Sequence, residues 1–277
     1  MSFLGAARAR LRKTGKKLLR VVADHDPDYY DMHDDPDEAW FAGLYVERIR
    51  RRAEQAGITP PATVLEAGCQ AGRLVVPLAR LGFDVTGIDT SSFALRRARR
   101  HAKVAGVSAR FIRGDLLTVL QHPRQRYDIV VCAEVLYLSP RYREMLQLLF
   151  RAVKPGGLLC VSHRPKMYYL LESLRHGDID SARRVLAGGE GRFPGPFPER
   201  GYYNWQTEEE LVALYRGLGV EETAVYPIDQ MSWLSGTPPS RLTERARSLW
   251  FDAEMQLESG EGGPCERYAL VIASKTT

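Results

Sequence analysis

Four acidic side chains stand out by where they fall: Glu66, Asp89, Asp115 and Glu134 each close a short apolar run, in TVLEA, FDVTGID, ARFIRGD and YDIVVCAEV. A carboxylate accepts hydrogen bonds, attracts cations and repels phosphate. Directly after the first of them the chain turns through Gly68 and Gly72 in VLEAGCQAGRL. Glycine there lets backbone approach a ligand closely. A pyrophosphate would be repelled by Glu66, whereas an ammonium group or a ribose hydroxyl would be attracted. Asp89 follows Gly68 by 21 residues, a placement that suits a ribose diol, because one carboxylate can accept both hydroxyl hydrogens. Asp115 is placed to accept from an adenine amino group.

The elements that must position these acids follow from periodicity. From Thr63 to His163 short apolar runs alternate with amphipathic helical stretches, and GLLCVSH ends the series. Strands alternating with helices predict an α/β fold with a parallel sheet covered on both faces. Such sheets bind ligands beyond the carboxyl ends of their strands, so the four acids should ring one cleft. Ahead of this region, Trp40, Leu44, Val46 and Ile49 recur at helical spacing over about 39–56, and Thr59-Pro60-Pro61 interrupts. Pro77 falls in the helix after Gly72, where it either kinks the helix or sits in its first turn. Lys154-Pro155-Gly156-Gly157 reads as a turn. Thr207 and Glu210 have capping-box spacing before LVALYRGLG. After His163 the alternation is broken by one or two helices in KMYYLLESLRHGDIDSARRVLAG, a Gly/Pro-rich stretch, QMSWLSGTPPS and a helix over about 241–257.

Adenine, ribose and ammonium without phosphate describe S-adenosylmethionine. The motifs VLEAGCQAG, VTGIDTS, FIRGDLL, YDIVVCAEVLYL and LFRAVKPGGLLCVS, in that order, resemble those of the class I S-adenosylmethionine-dependent methyltransferases over about 62–164, and RYALVIASK resembles the family's last, antiparallel strand. The resemblance implies a Rossmann-like, seven-stranded, mostly parallel sheet with an antiparallel strand near its edge. It implies Glu66, Gly68 and Gly72 at the methionine moiety, Asp89 at the ribose, Asp115 and Leu116 at the adenine, and the backbone of Ala133 and Glu134 close by. Gln70 stands where the family usually has glycine, which restricts the turn. GCQAG also lacks the GxGxxG spacing of a dinucleotide site, which argues against a dehydrogenase.

The acceptor side is expected from fewer signals. His163, just past strand five, is the candidate general base, and Tyr30, with Tyr29 in DYYD, is expected to close over the cofactor. Tyr202, Tyr203, Asn204 and Trp205 are expected to wall the acceptor. His25 and His33 lie among aspartates without metal-ligand spacing, so no metal is expected. The expected domain layout is an arm over 1–37 and a methyltransferase domain over 38–277 with cap insertions at about 165–206 and 229–265. The predicted function is methyl transfer to an O, N or C atom of a small molecule.

Two rivals are an RNA (tRNA base) methyltransferase and a non-catalytic cofactor-binding protein. The RNA reading draws on the arm 1–20, with seven Lys or Arg and no acid, and on RRARRHAK from Arg96 to Lys103. The same arm has an amphipathic pattern suited to peripheral contact with an anionic membrane. A stretch with eight acids follows it. No run nears the roughly 20 apolar residues of a transmembrane helix, residues 1–20 lack the apolar core of a secretory leader, and the four cysteines form no CxxC pair. The cytoplasm is the expected compartment.

Overall fold

The computed structural model describes residues 29–123, 125–192, 201–220, 222–257 and 266–276. The arm 1–20, His25, Cys265 and part of the Gly/Pro-rich stretch after Ala187 lie outside the described residues. Seven strands form one sheet in the order β3-β2-β1-β4-β5-β9-β8. They are β1 (Thr63–Ala67), β2 (Asp84–Asp89), β3 (Arg110–Arg113), β4 (Tyr127–Cys132), β5 (Val153–His163), β8 (Thr223–Ile228) and β9 (Tyr268–Ser274). β9 runs antiparallel to both β5 and β8, and the ladders among β1 to β5 are parallel. The Rossmann-like, mostly parallel sheet expected from the sequence is thus the observed one.

Burial on both faces explains the apolar runs. On one face, α1 (Pro36–Gln55), α2 (Val75–Arg80) and α3 (Ser92–Val104) enclose Val64, Val85, Ile129 and Val131. On the other, α4 (Leu116–Val119), α5 (Tyr142–Ala152) and α8 (Glu208–Arg216) enclose Leu65, Ile88, Val130 and Val161. Alternate residues of one strand serve opposite layers, so a strand's register fixes which side chains reach the cleft.

Local chemistry sets the element ends. Asp35 caps α1 by accepting the N–H groups of Asp37 and Glu38, and Thr207 with Glu210 forms the full capping box of α8. Each such cap is worth about 1 kcal/mol. Pro77 lies in the first turn of α2, where no intrahelical N–H is lost. The Lys154–Gly157 turn sits inside β5: the pairing with β4 jumps from Tyr127↔Val153 to Ile129↔Leu158. A Cβ at Gly157 would come within 2.6 Å of the Asp128 carbonyl oxygen, so only glycine lets the chain re-enter the ladder there.

Beyond β5 the chain adds α6 (Lys166–Arg175), α7 (Ile179–Ala187), the two-residue strands β6 (Glu190–Gly191) and β7 (Tyr203–Asn204), α9 (Met231–Ser235) and α10 (Glu244–Gln256). Arg48 of α1 ties α10 down by donating to the Glu254 carbonyl oxygen at 2.6 Å. Cys69, Cys132 and Cys160 are buried free thiols. Among the described residues no helix is long and apolar enough to cross a membrane.

Candidate active site

A cavity of about 600 Å³ opens at the carboxyl ends of β1 to β4. Glu66, Asp89, Asp115 and Glu134 all line it, as do Gly68, Leu116 and Ala133. The backbone makes this possible at Gly68, whose φ is +85°. A Cβ there would come within 2.4 Å of Val135 Cγ2. Gly72 does not line the cavity. It faces α3, where an added Cβ would touch the Ala98 Cβ at 3.4 Å, so its expected place at the methionine end is corrected to a helix-packing role.

Each acid is held differently. Asp89 accepts the N–H of Gln70 at 2.9 Å and that of Ser91 at 2.8 Å, one on each oxygen. This aims the carboxylate and leaves lone pairs for further donors. Asp115 caps α4 by accepting the Leu117 N–H at 2.8 Å. Glu66 is buried, with Oε2 lacking any hydrogen-bond partner. Burial pushes its carboxyl up to about 8, against the pull of Arg73. An orphaned buried carboxyl oxygen beside a glycine cradle fits the ammonium end of a ligand, whose charge would keep Glu66 ionised.

The sequence reading missed Arg73 and Glu38. Arg73 lines the cavity and is itself buried. It forks between Glu134, at 2.6 Å, and Glu38. Arg73 is the single charge in AGRLVVPLA, and a lone cation in an apolar run was the signal available for it. Burial works to raise both acids. The guanidinium outweighs this at Glu134 and holds it low, while Glu38, buried and repelled by Glu134, is pushed up. Of two carboxylates on one guanidinium, Glu38 is therefore the one that takes a proton. Glu134 also accepts from the Tyr268 hydroxyl at 2.9 Å. Tyr268 in turn accepts from Arg164, whose guanidinium lies 4.1 to 5.0 Å from the ring centroids of Tyr137, Tyr168 and Tyr268. A second cavity, of about 360 Å³, is lined by Tyr30, Glu38, Phe41, Asp229, Trp233 and Arg267 among others. Glu38 thus faces the second cavity while bonded to an arginine of the first.

A family model described as a methyltransferase domain matches residues 64–157. The chain is 30% identical over 168 residues to the ubiquinone biosynthesis O-methyltransferase of Pseudomonas paraeruginosa (strain DSM 24068 / PA7), a match spanning 57% of this chain and 68% of that one. The chain belongs to the class I S-adenosylmethionine-dependent methyltransferase family. Against the enzyme of the same name from Serratia proteamaculans (strain 568) it is 36% identical over 110 residues, 40% of this chain and 46% of that one. The matched stretch is therefore less than half of the Serratia enzyme. In fold, it is similar to the crystal structure of magnesium protoporphyrin IX methyltransferase from Synechocystis PCC 6803 with bound SAH. The TM-score is 0.55 at 16% identity, over 96% of this chain and all of the other. A methyltransferase structure from Clostridium acetobutylicum ATCC 824 gives 0.53 at 10% identity, over 96% and 99%.

Against this methyltransferase frame, three acceptor-side expectations need correction. His163 does not face the cleft. It is fully buried, its Nε2 lies 2.9 Å from the Tyr215 hydroxyl of α8, and burial drives its pKa down to about 3. Strand alternation puts it on the side of Val161, in the layer opposite α1. Tyr30 is 55% exposed and lines the second cavity, whereas its neighbour Tyr29 lines the cleft, edge-on to Phe93 at 4.8 Å. Tyr202, Tyr203, Asn204 and Trp205 do not line the cleft either. Tyr202 donates to Glu190 at 2.6 Å, Tyr203 is buried, and Trp205 donates to the Val185 carbonyl oxygen at 3.2 Å. Asn204 donates to the Leu136 carbonyl oxygen at 3.0 Å. It props from behind the short 136–138 turn whose Tyr137 and Leu138 line the cleft.

His33, Asp34 and His101 come within 4.8 Å of one another, a grouping that sequence spacing concealed. The two imidazoles stack at 4.0 Å, and Arg97 pairs with both Asp31 and Asp34. The ring planes are 29° apart, and a guanidinium already balances the acids. These residues are therefore read as a structural tie between segment 29–34 and α3. Arg97 is thereby committed to an internal contact, and Arg99 likewise donates to the Phe111 carbonyl oxygen at 3.1 Å.

Proposed function

We propose that this methyltransferase uses S-adenosylmethionine to methylate a small molecule, with the donor in the larger cavity and the acceptor reaching it from the second. The observation that carries this is the ring of four carboxylates at four successive strand ends around one cleft, with Glu66 Oε2 left unpartnered in its floor. Such a site rejects phosphate and suits a cationic, phosphate-free nucleoside. Glu66 would hold the ammonium group, Asp89 the ribose hydroxyls, Asp115 and Leu116 the adenine, and the backbone of Ala133 and Glu134 would lie near the sulfur. Bound there, S-adenosylmethionine supplies a methyl group already activated for displacement.

The protein's task is then to orient the acceptor and to take its proton if it brings one. Glu38 replaces His163 as the candidate base: it faces the second cavity, Arg73 holds it, and its surroundings raise its affinity for a proton. Relatives named as O-methyltransferases favour an oxygen acceptor, from which a proton must be removed.

The test uses S-adenosylmethionine with a tritiated methyl group, incubated with the protein and a host extract. Label is expected in small organic products and should vanish with Asp89→Ala. Label that nuclease releases would replace this proposal with an RNA methyltransferase. Cofactor binding without label in any fraction would overturn the enzymatic reading.

A further inference from the structure

We propose that Gln70 is a positioning residue for the nucleoside: its amide clamps segment 29–34 across the mouth of the cleft, so that nucleoside exchange requires the clamp to open. The inference rests on the proposed use of S-adenosylmethionine. Gln70 sits in the turn after β1 at φ +44°, a left-handed conformation that side chains rarely adopt. A residue kept there against that preference needs a compensating contact, and Gln70 has three. Its backbone N–H donates to Asp89 Oδ2 at 2.9 Å. Its Oε1 accepts the Met32 N–H at 3.3 Å, and its Nε2 donates to the Tyr30 carbonyl oxygen at 3.0 Å. Both ends of one amide therefore grip the same stretch of main chain, the carboxamide oxygen accepting and its NH2 group donating.

The gripped segment borders the cleft. Tyr29, one residue ahead of the grip, and Met32, part of it, both line the cleft, as do Asp89 and Ala94. The far anchor is on α3, where Arg97 pairs with Asp31 and Asp34, and His101 Nε2 lies 3.1 Å from Asp31. Segment 29–34 is thus fastened at the β1 turn and at the helix after β2, the two elements that flank the ribose acid. Because Gln70 also supplies one of the two backbone N–H groups that aim Asp89, the residue that orients the ribose acid is the residue that closes the mouth above it.

The experiment measures S-adenosylhomocysteine dissociation by stopped flow and its Kd by calorimetry, for wild type, Gln70→Gly and Arg97→Ala. Gln70→Gly removes the grip but eases the turn, so its Tm should match or exceed that of wild type. Arg97→Ala releases the other anchor without altering the turn. Dissociation is expected to accelerate about tenfold in each. Saturating S-adenosylhomocysteine should protect Tyr29 and Tyr30 from chymotrypsin in wild type and fail to do so in Gln70→Gly. Dissociation rates and protection that match wild type in both variants would overturn the clamp. Wild-type protein that binds no S-adenosylhomocysteine would instead overturn the proposed function on which the clamp rests.

Discussion

The cleft at the ends of β1 to β4 and the segments added after β5 use the same kinds of residue to opposite ends. In the cleft, polar side chains stay polar toward the cavity: Asp89 and Asp115 take only backbone N–H groups, and Glu66 keeps an oxygen without a partner. In the added segments, side chains that look made for recognition spend themselves internally, as Trp205 does on Val185 and Asn204 on Leu136. A parallel sheet forces strand-end residues into a shared opening. Nothing comparable aims the residues of an insertion, which must first bury their own apolar surface. Residue type therefore predicted place at the cleft well where topology dictated direction and poorly where it did not.

The largest test of this contrast is Trp205→Ala. Removing a fully buried indole should cost about 3–5 kcal/mol of stability, read from urea unfolding. Affinity of the folded protein for S-adenosylhomocysteine should change less than twofold, and a larger change would place Trp205 in the site after all. Asp89→Ala should behave the other way round. Binding should weaken by about 2–3 kcal/mol, or about a hundredfold by calorimetry, because it removes a charged acceptor and frees two backbone donors.

His163 supplies a test through pH. Its folded pKa, about 3, lies below the usual value, so the unfolded chain binds the proton that the folded one refuses. The stability it contributes is complete above about pH 6.5 and is lost as pH falls toward 3. This amounts to about 2 kcal/mol at pH 5. Unfolding of His163→Asn followed from pH 8 to 5 should lack that part of the wild-type decline, and the pH profile of methyl transfer should not move.

The smallest effect, read between pH 8 and 7, concerns Glu66. Free, it protonates below about pH 8, whereas a bound ammonium requires it ionised. Affinity for S-adenosylhomocysteine should therefore fall about tenfold per unit below pH 8 in wild type. In Glu66→Gln it should be weaker and nearly flat with pH. A steep slope surviving the substitution would move the ammonium site elsewhere.

These contrasts also show what could be read in advance. The strand sequence, the four strand-end acids and the Thr207 capping box were legible because each depends on local pattern or on a rule of topology. Arg73 and Glu38 were hidden because their meaning lies in an ion pair across 35 positions of sequence. His163 was misdirected by one step of strand alternation: the place past β5 was right, but the face was set by register. Gln70 stood out only as a departure from a family pattern, and its contacts lie 38 and 40 positions back along the chain.

The placement of β9 carries a consequence for how the chain is made. β8 pairs with β9 and with no other strand among those described, and β9 also completes the edge of β5. On a ribosome, β9 is the last of the seven strands to emerge. The β3-β2-β1-β4-β5 half can assemble first, but β5 then presents an open edge and β8 waits unpaired from Ile228 until Tyr268 appears. Through that interval the nascent chain carries unpaired edges on β5 and β8, the kind of surface that recruits a neighbouring chain or a chaperone. Removing residues 268–274 would make that interval permanent.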